Sequence, residues 1–267
     1  MNNILLAPAI MTGIGLFFST VLVIAHRFLK VQEDPRIDQA EQLLPGTNCG
    51  ACGQAGCRAF AEQLVAKSIA PSLCSVASAE AIISLAELLQ VDPGHQEKQV
   101  ARLHCAGGKG QAFQIAEYQG LTSCLSASVL SSGGKGCSWG CLGLGDCQQA
   151  CTFVAIEMNA NGLPHVNTNL CTACGDCVDV CPQDLFEILP INQKLIVQCK
   201  SPLAGDLARD LCKTACDACG RCVADAPVGL IKMQDNLPVI DYAIGNMATP
   251  QVTHRCPTGA IRWIEDN

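Results

Sequence analysis

Cys171-Thr-Ala-Cys174-Gly-Asp-Cys177-Val-Asp-Val-Cys181-Pro182 is the stretch on which the reading of this chain turns. Four cysteines fall within eleven residues and a proline closes the run, in the spacing C-x2-C-x2-C-x3-C-P. Three thiolates on one tight loop grip one face of a [4Fe–4S] cube, and the fourth ligand comes from a helix across the module. Zinc is the main rival for paired cysteines, but zinc ribbons use two pairs parted by a spacer. The run therefore predicts iron–sulfur ligation.

The spacing is that of bacterial ferredoxins, where two-cluster modules cross their ligands: the fourth cysteine of each run serves the other cluster. Upstream lies Cys137-x3-Cys141-x5-Cys147-x3-Cys151, wider than the standard run. Crossing the two blocks predicts one cluster on Cys137, Cys141, Cys147 and Cys181, and another on Cys171, Cys174, Cys177 and Cys151. Downstream, Cys216-x2-Cys219-x2-Cys222-x3 ends in Ala226-Pro227, while Cys256-Pro257 stands alone. The same rule makes Cys216, Cys219, Cys222 and Cys256 a complete set. Its partner cluster would need a cysteine at 226 and three more around 243–250, where Ala243-Ile244-Gly245-Asn246-Met247 stands. All four are missing together, so this module is predicted to hold one cluster. A last block, Cys49-Gly-Ala-Cys52-Gly-Gln-Ala-Gly-Cys57, is followed by Cys74 after 16 residues. Its glycines let the backbone wrap a bulky group; its spacing leaves [2Fe–2S] and [3Fe–4S] open beside [4Fe–4S]. Four [4Fe–4S] clusters are expected in all.

Cys105, Cys124, Cys199 and Cys212 remain over. They read as buried small thiols, because no spacing supports a fifth metal site or a disulfide. His104 and His254 read as surface or near-cluster residues. Asp176, Asp179 and Asp184 read as a solvated acidic face.

The fold class expected is α+β. Residues 155–167 resemble residues 230–241, and each reads as a β-hairpin with an Asn/Asp/Gly turn. Leu185–Leu189 with Lys194–Gln198, and Ala260–Ile264, supply further strands. Helices are expected just before Pro45, over Arg58–Lys67 and Ser78–Gln90, and as a helical piece at Ala112–Leu130. The domains expected are a transmembrane anchor at 1–30, a helical Fe–S domain at 31–92 and a helical linker region at 93–136. A two-cluster ferredoxin module at 137–200 and a degenerate one-cluster module at 201–267 complete the chain.

The composition of the 267 residues narrows the class further. Twenty cysteines accompany only 4% aromatic residues and a net charge of −7. An acidic chain does not bind nucleic acid through a general basic field. Gly107-Gly-Lys-Gly110 and Gly133-Gly-Lys-Gly136 fail the P-loop pattern and read as flexible connections. No nucleotide fingerprint, catalytic triad or carboxylate pair is legible, so no bond-making residue is expected. Ile4–Ala25 carries no charge over 22 positions, about 33 Å as a helix against a bilayer core of about 30 Å. It lacks the basic start of a signal peptide. Arg27 and Lys30 follow it, so the positive-inside rule puts the rest of the chain in the cytoplasm. That compartment is reducing and disfavours disulfides.

Taken together, the blocks resemble the B subunit of the Rnf electron transport complex, a membrane-bound ferredoxin:NAD oxidoreductase that pumps ions. The resemblance rests on the uncharged N-terminal helix, on Leu44-Pro-Gly-Thr-Asn-Cys-Gly-Ala-Cys-Gly-Gln-Ala-Gly-Cys57, on Gly140-Cys-Leu-Gly-Leu-Gly-Asp-Cys147 and on the run 171–182. It implies a single-pass protein of the cell (inner) membrane. That protein takes electrons from soluble ferredoxin or flavodoxin and hands them to other Rnf-type membrane subunits. The alternative is a membrane-anchored polyferredoxin serving a hydrogenase, a nitrogenase or a redox-sensor reductase. Cys105, Cys124, Cys199 and Cys212 look similar to cysteines of the family's long members.

Overall fold

In a computed structural model of the chain, residues 3–29, 34–95 and 97–265 are described. Lys30, part of the charge argument above, lies outside them. Helix α1 (Asn3–Leu29) is uncharged as far as His26 and Arg27 in its last turn. Its segment Met11–Phe28 is long and apolar enough to cross a membrane. Large side chains of that segment, Phe17, Leu22 and Phe28 among them, are exposed.

The helical Fe–S domain is built by α2 (Pro35–Leu43), α3 (Cys57–Val65) and α4 (Ala79–Leu89). Asp34 caps α2 by accepting the Arg36 N–H. Ser78 caps α4 by accepting the Ala81 N–H, and Gln90 ends it in the left-handed conformation, the stop signal that a helix terminus favours. Ala40, Phe60, Leu64, Leu85 and Leu89 form the domain core with Cys74. Each large side chain buried there contributes roughly 1.5–3 kcal/mol.

Two ferredoxin-like units follow. The first contains β1 (Gln99–Leu103), α5 (Cys124–Val129), α6 (Asp146–Ala150), β2 (Ile156–Met158), β3 (Pro164–Val166), α7 (Asp176–Asp179) and β4 (Phe186–Pro190). The second contains β5 (Leu195–Val197), α8 (Gly205–Leu211), α9 (Arg221–Asp225), β6 (Ile231–Gln234), β7 (Leu237–Ile240), α10 (Gln251–His254) and β8 (Ile261–Trp263). In each unit the first strand pairs antiparallel with the last, and the middle two form a hairpin. The second hairpin turns on Asp235 and Asn236, both at positive φ, as a two-residue turn of the type matched to strand twist requires.

Three expectations are corrected. Residues 93–136 are not a helical linker: β1 lies inside them and pairs with β4, Val100 opposite Leu189. Of the helix expected at Ala112–Leu130 only α5 forms. Ala112 and Gln114 instead run extended, bridged to Cys212 and Lys135. The strand near 194–198 pairs with β8 rather than with residues 185–189. The second unit therefore begins before residue 200.

Candidate metal centres

Among the described residues, no three Cys, His, Asp or Glu side chains are placed to hold a single metal ion. The cysteines surround voids instead. Four cavities, each enclosing about 20 Å³, are lined by four cysteines apiece. Such a wall of thiols suits a polynuclear cluster rather than one ion.

The first cavity is bounded by Cys49, Cys52, Cys57 and Cys74. Asn48 Oδ1 accepts the Cys57 N–H at 2.8 Å, which fixes the loop at the start of α3. A Cβ on Gly56 would stand 2.8 Å from that same oxygen, so only glycine fits there.

The second is bounded by Cys151, Cys171, Cys174 and Cys177. Ala173 takes φ +60° between Cys171 and Cys174, a strained conformation for a residue with a Cβ. Ala218 takes φ +60° at the matching place between Cys216 and Cys219. The N–H groups of Ala101 and Ala155 donate to Cys171 Sγ and Cys151 Sγ, at 3.5 and 3.3 Å.

The third is bounded by Cys124, Cys141, Cys147 and Cys181. Cys137, expected here, lies elsewhere, and Cys124, read as a spare thiol, takes its place. Asp146 makes this possible. Its carboxylate accepts the Ser123 hydroxyl at 2.9 Å and the Cys124 N–H at 2.8 Å, and so holds α5 against the cavity. Burial alone would raise the Asp146 pKa, but those donors and the Leu125 N–H hold it below the ordinary carboxylate value. The wide spacing upstream of Cys181 was the signal that a ligand had to come from outside the block.

Cys137 instead lines a fourth cavity with Cys105, Cys199 and Cys212. Gly107 and Lys135 line it too, so the two Gly-Lys stretches are packed structure rather than flexible connections.

Cys216, Cys222 and Cys256 come together in the second unit. Burial pushes Cys216 up to about 12, and its nearness to Cys199, Cys222 and Cys256 adds to this. Arg255 pairs with Asp225 through two contacts of 2.7 and 2.5 Å, tying the Cys256 turn to α9. Cys219 is the exposed member of the set. Where a partner cluster would have sat, Ala226, Tyr242 and Ile244 pack on Leu230, Ile231 and Val252. Apolar side chains fill that place.

His104 is not a surface residue. It is buried, with Nδ1 2.8 Å from Val197 O and Nε2 3.0 Å from Glu187. Burial first, then neighbouring thiols, pushes Cys147 and Cys177 up to about 12. These two thiols are neutral when free, so metal binding there releases their protons.

Residues 44–76 match the family described as "Putative Fe-S cluster". Residues 164–187 match the "4Fe-4S binding domain" family. The chain is 40% identical over 243 residues to the B subunit of the sodium-translocating ferredoxin:NAD oxidoreductase complex of Acetobacterium woodii, covering 91% of this chain and 73% of that one. It is 37% identical to the proton-translocating counterpart of Clostridium ljungdahlii, over 99% of this chain and 94% of that one. It is 36% identical to the B subunit of the ion-translocating oxidoreductase complex of Methanosarcina acetivorans, over 90% and 92%. Cysteine quartets, ferredoxin-like units and similarity across nearly the whole length converge: the chain belongs to the family of B subunits of the Rnf ion-translocating oxidoreductase complexes.

Proposed function

We propose that this chain is the iron–sulfur electron-carrying subunit of a membrane-bound, ion-translocating oxidoreductase. It relays electrons between a soluble ferredoxin or flavodoxin and the other subunits of its complex. The observation that carries this reading is the contiguity of its cysteine sets. Ser75, next to Cys74, donates to Thr172 O at 2.7 Å, joining the first set to the Cys171–Cys177 loop. Cys177 in turn lies near enough to Cys147 for their charges to repel.

In this reading [4Fe–4S] clusters occupy the quartets Cys49/Cys52/Cys57/Cys74, Cys151/Cys171/Cys174/Cys177, Cys124/Cys141/Cys147/Cys181 and Cys216/Cys219/Cys222/Cys256. A bound cluster supplies one-electron chemistry. The chain's residues hold it, exclude water from it and direct backbone N–H groups at its sulfur ligands, the levers that set a potential. No residue makes or breaks a covalent bond in substrate. Helix α1 anchors the protein in the cell membrane, with the cluster-bearing part on the cytoplasmic side.

The test is anaerobic purification of the full chain from its native membrane. Other membrane subunits should copurify, and dithionite should bleach the brown colour and raise the paramagnetic signals of reduced clusters. Eight irons or fewer per chain, against about four for each cubane, would sink the assignment.

A further inference from the structure

We infer that Cys105, Cys137, Cys199 and Cys212 hold a fifth [4Fe–4S] cluster, placed between the two ferredoxin-like units and ligated equally by both. This rests on the electron-carrying reading above and extends it to a site that neither family match covers, since those matches span residues 44–76 and 164–187.

The shape of the cavity points there first. It encloses about 20 Å³ behind four cysteines, as do the voids bordered by cysteines of the two matched regions. Its wall is cut to fit. A Cβ on Gly107 would come within 2.9 Å of Cys212 Sγ and 3.7 Å of Cys105 Sγ. The N–H of Cys141 donates to Cys105 Sγ at 3.4 Å, a bond of the kind seen at the other sets.

Charge points the same way. Lys135 is buried, and its ammonium donates to Gly107 O at 2.5 Å and Cys141 O at 2.6 Å. Both partners are neutral carbonyls, and no carboxylate pairs with it among the described residues. A buried cation without an anion is costly. Four iron-bound thiolates at the same cavity supply the missing negative charge.

Internal symmetry completes the case. Cys105 stands two residues beyond β1, which ends at Leu103, and Cys199 stands two beyond β5, which ends at Val197. Cys137 precedes Cys141 by four positions, and Cys212 precedes Cys216 by four. Each unit thus contributes the same pair from the same two places. The symmetry accounts for all four cysteines.

The site also closes a gap. Cys105 touches the third cavity through Cys141, and Cys199 lies against Cys216 of the last set. A cluster here makes the row of centres continuous through both units.

The experiment uses the full chain, reconstituted anaerobically in detergent, with iron and sulfide counted per chain. The wild type should hold about twenty irons, four per cubane. Cys105→Ser with Cys199→Ser should lose about four, as should Cys124→Ser at the neighbouring quartet. About sixteen irons in the wild type, unchanged by the double substitution, overturns the fifth site and leaves the proposed function standing. Eight or fewer in the wild type overturns both. Should the double variant fail to fold, alkylation of the wild type decides. Peptides carrying Cys105 and Cys199 should resist iodoacetamide until a chelator removes the iron. Equal labelling with and without iron overturns the site.

Discussion

Asp146 shows how one side chain can recruit a ligand across a gap in sequence. It sits at the start of α6, beside Cys147, and reaches back to the N–H groups of Cys124 and Leu125. Asp146→Ala should cost about 1 kcal/mol, the usual value of a lost helix cap, and should release Cys124 from its cavity. Denaturant titration with iron counting checks both: a loss of about four irons is expected, with the quartet at Cys49 intact. Glu187 gives a pH prediction of smaller size. Its hydrogen bond to His104 holds its carboxyl below the ordinary value, burial opposing. A lowered pKa contributes stability above the unfolded-state value, and that stability is lost as pH falls through the lowered one. The Glu187 side chain is 52% exposed, so screening keeps the effect below about 1 kcal/mol. Glu187→Gln should flatten the acid limb of the stability curve by no more than that. Gly107→Ala belongs at this scale too. Its Cβ would displace Cys212 Sγ, and about four irons should go with it.

Strand β1 carries the lesson at the scale of elements. Val100 and Ala101 are buried against β4, although they lie 36 or more residues ahead of the cysteine block they support. Val100→Ala should cost about 2 kcal/mol through the cavity it leaves, measured as a drop in the denaturation midpoint of the first unit. The hairpins at 155–167 and 230–241 were legible because turn residues and alternation are local signals. So were α3 and α4, whose apolar faces are local, α4 with its own Ser78 cap. The β1–β4 and β5–β8 pairs were not, because a short apolar strand gains its meaning only from a distant partner. Cysteine groups split the same way. Spacing and the crossed-ligand rule lead to two groups whose cysteines line a common cavity, Cys49/Cys52/Cys57/Cys74 and Cys151/Cys171/Cys174/Cys177, since their loops are tight. Cys137 was misplaced because it belongs to an interface between units, and no local pattern reports an interface. The extended course around Ala112 and Gln114 was hidden for the same reason: it is set by the Phe113 N–H donating to Leu211 O and the Ile115 N–H donating to Gly134 O.

At the scale of the molecule, local links join the five sets: Ser75 with Thr172, Cys147 with Cys177, Cys105 with Cys141, and Cys199 with Cys216. Residues 1–33 carry no cysteine. Removing them should leave a protein that no longer sediments with membranes yet keeps its full iron content. Metal removal should have the opposite effect. Buried thiols and a buried ammonium face one another across the fourth cavity, so chelation should loosen the contact between the two units before it unfolds either one. Limited proteolysis checks this: cleavage between residues 190 and 195 should appear on chelation and be absent from the iron-loaded chain.

The apolar plug of Ala226, Tyr242 and Ile244 has a consequence for robustness. On the proposed reading of one centre in the last unit, current has one route and no bypass, as in a circuit wired in series. The exposed Cys219 is where an oxidant meets that circuit first. A single lesion there should silence the whole subunit while leaving most of its iron in place, so that iron content and throughput become separate measures of damage.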